Sequence, residues 1–313
     1  MARSDRPWHR SMIKSGALLL LGSPRAHVQD WFPGLRIDLD TTTGARDVRY
    51  RGEKVVTLSG ADLLRERSPE NVYIVGSGPS VRNCDLSRLE EGSAILLNGA
   101  ITLIGEQIAM PLAIAIEDER FIWRHFDLVK EKVAADTVCL LSVAVLRAIC
   151  EHDRRWLRDK KVVLIDYIRK PYGERRRSID MIARFDFVVL NEDRSAAISL
   201  LPDRGVVQGG SVAVSVLQFA LYCRPRTIGL FGIDISNADQ PRFYETGKQT
   251  AFSGIAGAEK RIVAHLVLAK KTAGEHNVEV MNFSPVSILV DHGFGYDGRF
   301  AVLKDDGSAL PSP

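Results

Sequence analysis

Cysteine is scarce in this 313-residue sequence, and no two of its four cysteines form a C-x-x-C pair. They are scattered along the chain as Cys84, Cys139, Cys150 and Cys223. A disulfide framework or a zinc site requires cysteines grouped at characteristic spacings. We therefore expect reduced thiols in a cytoplasmic protein.

Long apolar runs and a large charge of one sign are lacking as well. No stretch approaches the roughly 20 apolar residues that span a bilayer. The apolar run at residues 17–21 follows basic residues, yet it is shorter than the core of a signal peptide, and we expect a short strand there. The net charge of +3 is too small to indicate nucleic-acid binding, although it suits an acidic substrate or a loose contact with anionic lipid.

Strands and helices alternate from residue 72 onward, with no internal repeat and no low-complexity linker. Short β-branched runs predict buried strands, and segments with a 3.6-residue apolar period predict helices. This alternation favours an α/β, Rossmann-like fold with a mostly parallel sheet and flanking helices. The predicted strands cover residues 72–75, 94–97, 112–116, 137–141, 162–165, 187–190, 227–231 and 278–281, and the predicted helices cover 121–133, 143–151, 212–222 and 256–274.

The chain divides by composition into three parts. Residues 1–68 are expected to form an N-terminal extension, with a hairpin between residues 47 and 58 and a short helix at 61–67. The α/β domain is expected to cover residues 69–303. A polar, proline-containing flexible tail is expected at 304–313.

The loop Gly76-Ser77-Gly78-Pro79-Ser80 ends the first predicted strand of the sheet. In an open α/β sheet, ligands bind at the carboxyl ends of strands. The two glycines allow close approach of the backbone to a ligand, and free N–H groups there can face a phosphate. The alternative is a simple Gly-Pro turn between strand and helix, without a ligand.

A dinucleotide fingerprint is the first interpretation of this loop, and the sequence argues against it. Val81 occupies the third glycine position of G-x-G-x-x-G. The second strand ends in Asn98 instead of the expected acidic residue. Asparagine can bond a ribose hydroxyl or a base edge, so the sequence predicts a nucleotide site of another kind.

Other polar residues follow predicted strands or precede a predicted helix. Asp118 could bond a sugar hydroxyl or a divalent metal, or it could cap the next helix. Ser211, after Gly210, could help bind an anion or act as an N-cap. Asp234 could converge with the first loop or could be a buried turn residue. Ser284 could line the same cleft or only shape a turn.

The order and spacing of these stretches resemble a known family. Ile74 to Ser80, Asn98, Gly232-Ile233-Asp234 and Ser284-Pro285 resemble the bacterial sialyltransferases of glycosyltransferase family 42. A closer resemblance is to the lipopolysaccharide core Kdo transferases (Kdo transferase III). It covers about residues 70–300 and rests on Asn98-Gly99, Asp118-Glu119-Arg120-Phe121, Gly232-Ile233-Asp234, Arg242-Phe243-Tyr244 and Asn282-Phe283-Ser284-Pro285.

This resemblance implies a GT-A-like glycosyltransferase domain that uses a CMP-activated acidic sugar, either CMP-Kdo or CMP-sialic acid, with inversion at the anomeric carbon. The implied acceptor is a lipopolysaccharide or lipooligosaccharide core glycan, met at the inner-membrane surface. Tyr244 is implied to assist the departing phosphate. The residues implied to bind the CMP-sugar are Gly76, Ser77, Gly78, Pro79, Ser80, Asn98, Gly210, Ser211, Asp234 and Ser284.

The sequence departs from the sialyltransferases at the general base. Their histidine is missing from residues 250–255, which leaves Asp118, Glu259 and His292 as unranked replacements. No metal is required, although a divalent ion remains an alternative. Two further hypotheses stay open: an enzyme resembling the pterin pyrophosphokinases or flagellin-glycosylation factors, and a nucleotide-binding module without catalysis.

Overall fold

The computed structural model describes residues 6–235, 242–244 and 256–302. Its N-terminal part begins with helix α1 (Trp8–Leu21). A three-stranded antiparallel sheet follows, and then a short helix. These elements are β1 (Leu35–Leu39), β2 (Arg46–Tyr50), β3 (Glu53–Leu58) and α2 (Asp62–Arg67).

The remaining elements alternate between strands and helices. In chain order they are β4 (Asn71–Val75), β5 (Ala94–Leu97), β6 (Ala113–Ile116), α3 (Glu119–Lys132), β7 (Val138–Ser142), α4 (Val143–Asp153), β8 (Lys161–Ile165), α5 (Ile179–Ile182), β9 (Val188–Leu190), β10 (Ala197–Ser199), α6 (Val212–Cys223), β11 (Thr227–Phe231), α7 (Glu259–Glu275) and β12 (Glu279–Asn282).

Seven of these strands form one parallel sheet, in the order β12-β11-β4-β5-β6-β7-β8. The predicted Rossmann-like α/β fold with a mostly parallel sheet is therefore confirmed. Every residue of β5, β6 and β7 is buried, as expected for strands that are covered on both faces.

Helices cover the two faces of the sheet. Alternate side chains of a strand point to opposite faces. Ile74 of β4 accordingly packs in a cluster with α2, α6 and α7, whereas Val75 packs in a second cluster with α3 and α4. Side chains of β1, β2 and β3 belong to the second cluster, so the N-terminal segment shares the core. The division of the chain at residues 68 and 303 stays a prediction.

One prediction of a strand was wrong, and another strand lies in a different sheet. Residues 17–21 continue helix α1, because alanine and leucine are strong helix formers and the run lacks β-branched residues. The strand near 187–190 is present as β9 but lies outside the main sheet. It pairs antiparallel with β10 through a short connection, and Leu190 is opposite Ala197. The predicted hairpin is confirmed as β2–β3, and the tail at 304–313 lies outside the described residues.

Helix α1 is held to the body of the protein by a buried charge cluster. Arg10 is 1% exposed, donates to the carbonyl of Phe32 over 2.7 Å, and lies 3.9 Å from the Glu119 carboxylate. Glu119, itself 1% exposed, also pairs with Arg6 at 2.8 Å and with Arg147. Burial lowers the pKa of Arg10 to about 10. The charges therefore fix α1 against α3 and α4. No described helix has the length and apolarity needed to cross a membrane.

The strand order reverses direction beside β4. Strands β5 to β8 follow one another on one side of β4, whereas β11 and β12 lie on its other side. The carboxyl ends of β4 and β11 therefore meet at a topological switch point. This is the position at which open α/β sheets bind their ligands.

Candidate active site

A cleft of about 790 Å³ opens at the carboxyl edge of the sheet. This volume lies within the range of small-molecule sites. Residues that the sequence places in six separate segments meet there. The predicted site residues that line the cleft are Gly76, Ser77, Gly78, Pro79, Asn98, Asp118, Gly210, Ser211, Asp234 and Tyr244.

Ser80 and Ser284 lie beneath the cleft and do not line it. Ser80 donates two hydrogen bonds to the Asp234 carboxylate, from its backbone N at 2.8 Å and from its Oγ at 2.7 Å. The Ser284 hydroxyl lies 3.0 Å from the Ser80 hydroxyl and accepts a bond from the backbone N of Gly232 at 2.8 Å. Both serines are buried. They tie the loop after β4 to the loop after β11.

The glycines of the first loop make room for protein atoms. A Cβ on Gly76 would lie 2.5 Å from the carbonyl oxygen of Gly232, and one on Gly78 would collide with the Asp234 carboxylate. The backbone N of Gly78 donates to Gly232 O over 3.0 Å. We expected these glycines to let a ligand approach the backbone. Instead, the space beside each glycine is filled by atoms of the loop after β11.

The main role of Asp234 is to connect the loop after β4 to the loop after β11. It is 8% exposed, and burial raises its pKa even though the bonds from Ser80 favour the charged form. Its placement beside the β4 loop agrees with the predicted convergence. Its hydrogen bonds fit the alternative of a buried turn aspartate. In this role it fixes the conformation of the loop after β4 from beneath the cleft.

Asn98 faces the cleft with an unused acceptor. Its backbone is left-handed, with φ of 47°, a conformation that asparagine tolerates better than most residues. Its side-chain Oδ1 is buried and has no hydrogen-bond partner among the residues that the structure describes. Buried polar atoms are normally bonded. The Asn98 Oδ1 is therefore a candidate acceptor for a ligand N–H or O–H group.

Tyr244 lies in the cleft, and its segment is tied to the first loop. The backbone N of Phe243 donates to Ser77 O over 3.4 Å, and Arg82 donates to the carbonyl of Phe243 over 2.6 Å. The Tyr244 ring occupies the space where a Cβ on Gly99 would stand. Glycine at position 99 thus admits the ring to the carboxyl end of β5.

His125, to which no sequence motif pointed, also lines the cleft. Its ring meets that of Tyr244 edge-on, with the centroids 6.1 Å apart. The backbone of α3 is kinked at His125, with φ of −128° and ψ of 24°. The available signal was its position in the second turn of the helix that follows Asp118, since such turns face the carboxyl edge of a sheet.

Asp118 caps helix α3. Its carboxylate accepts from the backbone N of Arg120 at 3.0 Å and from the Arg120 Nε at 2.7 Å. Burial favours the neutral acid, but the bonds from Arg120 outweigh it and hold the pKa of Asp118 below its usual value. The hydrogen bonds of Asp118 therefore agree with the alternative that it caps helix α3. Within the described ranges, no group of three His, Cys, Asp or Glu side chains could hold a metal ion.

Glu259 and His292 line a separate groove beside α7 and are not part of the cleft. Glu259 and Arg261 are two positions apart on α7, which places them on opposite sides of the helix. Arg261 faces the cleft, so Glu259 faces away. The structure gives neither Glu259 nor His292 a position from which to act as the base in the cleft.

Arg261 stands at the amino end of α6. A Cβ on Gly210 would lie 2.8 Å from its Nη2, and its Nε donates to Gly209 O over 3.3 Å. Ser211 caps α6 by accepting from the backbone N of Ala213 at 3.3 Å, as its N-cap alternative predicted. A helix amino terminus with an adjacent guanidinium favours an anion.

The cleft continues toward β8, which lies four strands from β4. Adjacent strands are about 4.8 Å apart, so these two strand ends are separated by roughly 19 Å. Asp30 and Asp166 line this far end, and burial raises the pKa of each to about 6. Among the described residues that line the cleft, cations are more numerous than acids: Arg6, Lys14, Arg120, Arg124, Lys170, Arg176, Arg242 and Arg261. The walls therefore suit an anionic ligand.

Comparison with known proteins gives the family. Residues 57–290 match the profile of a family described as 3-deoxy-D-manno-octulosonic acid transferase WaaZ, which is well over half of the chain. The chain belongs to this family. The WaaZ-family protein is thus a glycosyltransferase, and the resemblance to the Kdo transferases is confirmed. Membership also favours this function over the pyrophosphokinase-like and binding-module alternatives.

One relative and two solved structures show how low the sequence identity to known proteins is. A Salmonella typhimurium protein named probable 3-deoxy-manno-octulosonic acid transferase is 19% identical over 230 residues, which is 69% of this chain and 83% of that protein. The Campylobacter jejuni sialyltransferase CstII with cytidine-5'-monophosphate is 12% identical at a TM-score of 0.41, covering 77% of this chain and 93% of its own. The sialyltransferase Cst-I of the same organism is 16% identical at 0.40, covering 75% and 82%. These structural likenesses are too distant to support a functional conclusion.

The unpartnered acceptor of Asn98 generates the first prediction. Replacing Asn98→Gly keeps the left-handed backbone accessible and removes the Oδ1. CMP affinity should fall about tenfold through one lost hydrogen bond, while the free energy of unfolding should change little, because the Asn98 Oδ1 makes no hydrogen bond to the part of the protein that the structure describes. Calorimetry and urea unfolding measure the two quantities.

Asn277→Gly is the matched control for Asn98, because Asn277 also has a left-handed φ, of 59°, and follows α7 away from the cleft. It should leave CMP affinity unchanged. Equal CMP affinities for the Asn98 variant and the parent would show that the Oδ1 does not meet the nucleotide.

The tie between the two loops generates the second prediction. Asp234→Asn retains one acceptor oxygen but turns an NH₂ group toward a donor of Ser80. The free energy of unfolding should fall by about 1–3 kcal/mol, and nucleotide affinity should fall with it as the first loop loosens. Chemical denaturation and calorimetry on the same preparation measure both.

Asp203→Asn serves as the comparison for Asp234, since Asp203 accepts from the backbone N of Ala61 at 2.9 Å and does not line the cleft. It should affect stability without affecting nucleotide affinity. If Asp234→Asn changed neither the free energy of unfolding nor the nucleotide affinity, the bonds between Asp234 and Ser80 would contribute to neither stability nor binding.

Proposed function

We propose that this WaaZ-family protein transfers Kdo, or a related acidic sugar such as sialic acid, from a CMP-activated donor to a lipopolysaccharide core acceptor. The observation that supports this most directly is the convergence of ten predicted site residues in one cation-rich cleft at the switch point of the sheet. Family membership supplies the reaction class.

The nucleoside is proposed to bind between the loops after β4 and β5. Cytosine offers an amino group and ribose offers hydroxyls, and either could donate to the free Oδ1 of Asn98. The backbone of Ser77 and Pro79 borders this space. Asp234 acts beneath it, by holding Ser80 and hence the shape of the loop.

The phosphate and the carboxylate of the donor are proposed to face the cations. Arg261 and the amino end of α6 offer one anion site. Arg242 offers a second cation beside the first loop, where its Nη1 donates to the Ser77 hydroxyl over 3.4 Å. Guanidinium groups pair well with both phosphate and carboxylate oxygens, because they donate in a planar fork.

The proposed reaction is a single displacement at the anomeric carbon. The acceptor hydroxyl oxygen forms the new bond to that carbon, the bond from the carbon to the phosphate oxygen breaks, and CMP leaves with the electron pair. The anomeric carbon gains positive charge on the way, as in other glycosyl transfers. The acceptor proton must pass to a general base.

His125 is the base that the geometry of the cleft favours. It lines the cleft against Tyr244, whereas Asp118 is bound to Arg120 and Glu259 and His292 lie in another groove. Tyr244 is proposed to donate its phenolic hydrogen bond to the departing phosphate oxygen, where negative charge develops. A donor placed there stabilises the transition state more than the ground state.

The acceptor is proposed to occupy the end of the cleft near β8. Lys14, Lys170 and Arg176 line it, and all belong to segments separate from the nucleotide loops. These cations suit the phosphate groups of a lipopolysaccharide core. The strand separation of roughly 19 Å leaves room for a donor sugar and an acceptor sugar side by side.

The proposed roles predict the behaviour of Tyr244→Phe. The variant keeps the ring on Gly99 and against His125 but lacks the hydroxyl. Turnover should fall roughly 10²–10³-fold with donor KM changed only slightly, because the lost bond forms in the transition state. CMP release from CMP-Kdo, with the glycan product identified by mass spectrometry, provides the measurement.

Tyr296→Phe is the control, because Tyr296 is 44% exposed and outside the cleft; its turnover should equal that of the parent. Turnover of Tyr244→Phe within a few-fold of the parent would assign the leaving-group role to another residue. A parent protein that releases no CMP from CMP-Kdo or CMP-sialic acid, with any core acceptor, would refute the proposed function.

A further inference from the structure

The last turn of α1 carries four leucines in a row, and all of them are exposed. The exposed fractions are 54% for Leu18, 85% for Leu19, 82% for Leu20 and 44% for Leu21. Successive residues of a helix are 100° apart, so these four side chains point in directions that cover most of the circumference. Single exposed leucines are ordinary, but a contiguous group marks an interaction site.

The distribution of these leucines limits what could cover them. A protein groove or a flat partner surface buries one face of a helix and leaves the opposite face in water. A medium that surrounds the helix end can bury all four side chains at once. The acyl-chain boundary of a bilayer is such a medium, and amphipathic helices insert their apolar side chains there.

The charges near this turn match an anionic headgroup layer. Helix α1 contains no acidic residue, and Lys14 is exposed one turn before Leu18. The basic segment 175–177 is fastened beside the end of α1, since the backbone N of Arg176 donates to Pro24 O over 2.8 Å and its side chain donates to the Ser23 hydroxyl over 3.4 Å. Arg25, Arg175 and Arg176 are all exposed.

The helix is rigidly placed relative to the cleft. Arg10 fixes its first half through the buried pair with Glu119. Lys14 and Leu18 both line the cleft. The leucine turn therefore adjoins the cleft at Leu18, on the side where residues of α1 and the basic segment meet.

We propose that the leucine turn of α1 (Leu18–Leu21) inserts into the acyl-chain boundary of an anionic membrane, with Lys14, Arg25, Arg175 and Arg176 at the level of the headgroups. The mouth of the cleft then faces the bilayer surface. Each cation near an anionic surface adds to the attraction, and the leucines add an apolar contribution that salt does not screen. This inference concerns membrane binding and holds whatever the cleft transfers.

The test is flotation of the full chain with vesicles, without donor or acceptor. The parent should float with vesicles of phosphatidylcholine and phosphatidylglycerol and bind weakly to phosphatidylcholine alone. The double variant Leu19→Ser, Leu20→Ser should partition at least about tenfold less onto the mixed vesicles. Its thermal unfolding should match that of the parent, because both side chains are already exposed.

Met110→Ser is the control, since Met110 is 56% exposed and precedes β6, at the amino edge of the sheet opposite the cleft. It should float like the parent. Failure of the parent to float with the anionic vesicles, or equal flotation of the leucine variant, would overturn the proposal. A dimeric parent and a monomeric leucine variant in sedimentation, with neither one floating, would instead assign the turn to a second copy of the chain.

Discussion

The bonding of Asp234 to Ser80 is the interaction on which the cleft depends. The loops after β4 and β11 cross at the switch point, and only their backbones and short side chains fit there. The carboxylate takes both hydrogen-bond donors of Ser80, and Ser284 completes the tie by bonding Gly232. Burial in this position raises the pKa of Asp234 but leaves every one of these bonds satisfied. The floor of the cleft is thereby shaped before any ligand arrives.

The positive electrostatic potential in the cleft follows from the parallel arrangement of the strands. Parallel strands direct their carboxyl ends to one edge, and the helices that follow present their amino ends to it. Arg261 strengthens that field at α6. At the far end, burial raises the pKa of Asp30 and of Asp166 to about 6, so both carboxyls are still mostly ionised at neutral pH, and the attraction for an anionic ligand comes from the surrounding cations. A donor with a phosphate and a carboxylate suits such a cleft along its length.

Much of this arrangement could be predicted from the sequence, because buried parallel strands are short β-branched runs and their ends share one edge. That rule placed Asn98 beside the first loop, whereas Tyr244 was indicated by the family resemblance. It could not place residues on helices, because which side of a helix faces the cleft depends on how the helix packs against the sheet. His125 depends on a kink, and the leucines at 18–21 favour a helix by their propensity, a signal that the strand prediction overlooked.

Titration calorimetry of the full chain with CMP, ATP and NAD shows whether the cleft holds a cytidine nucleotide. The absence of an acidic residue after β5 argues against NAD. The unbonded acceptor of Asn98 and the cation at Arg261 suit the ribose or base and the phosphate of a nucleotide, and the choice of CMP rests on the proposed transfer of Kdo or sialic acid. The account predicts saturable binding of CMP and no measurable binding of ATP or NAD at the same concentrations. Binding of ATP or NAD with no binding of CMP would contradict it.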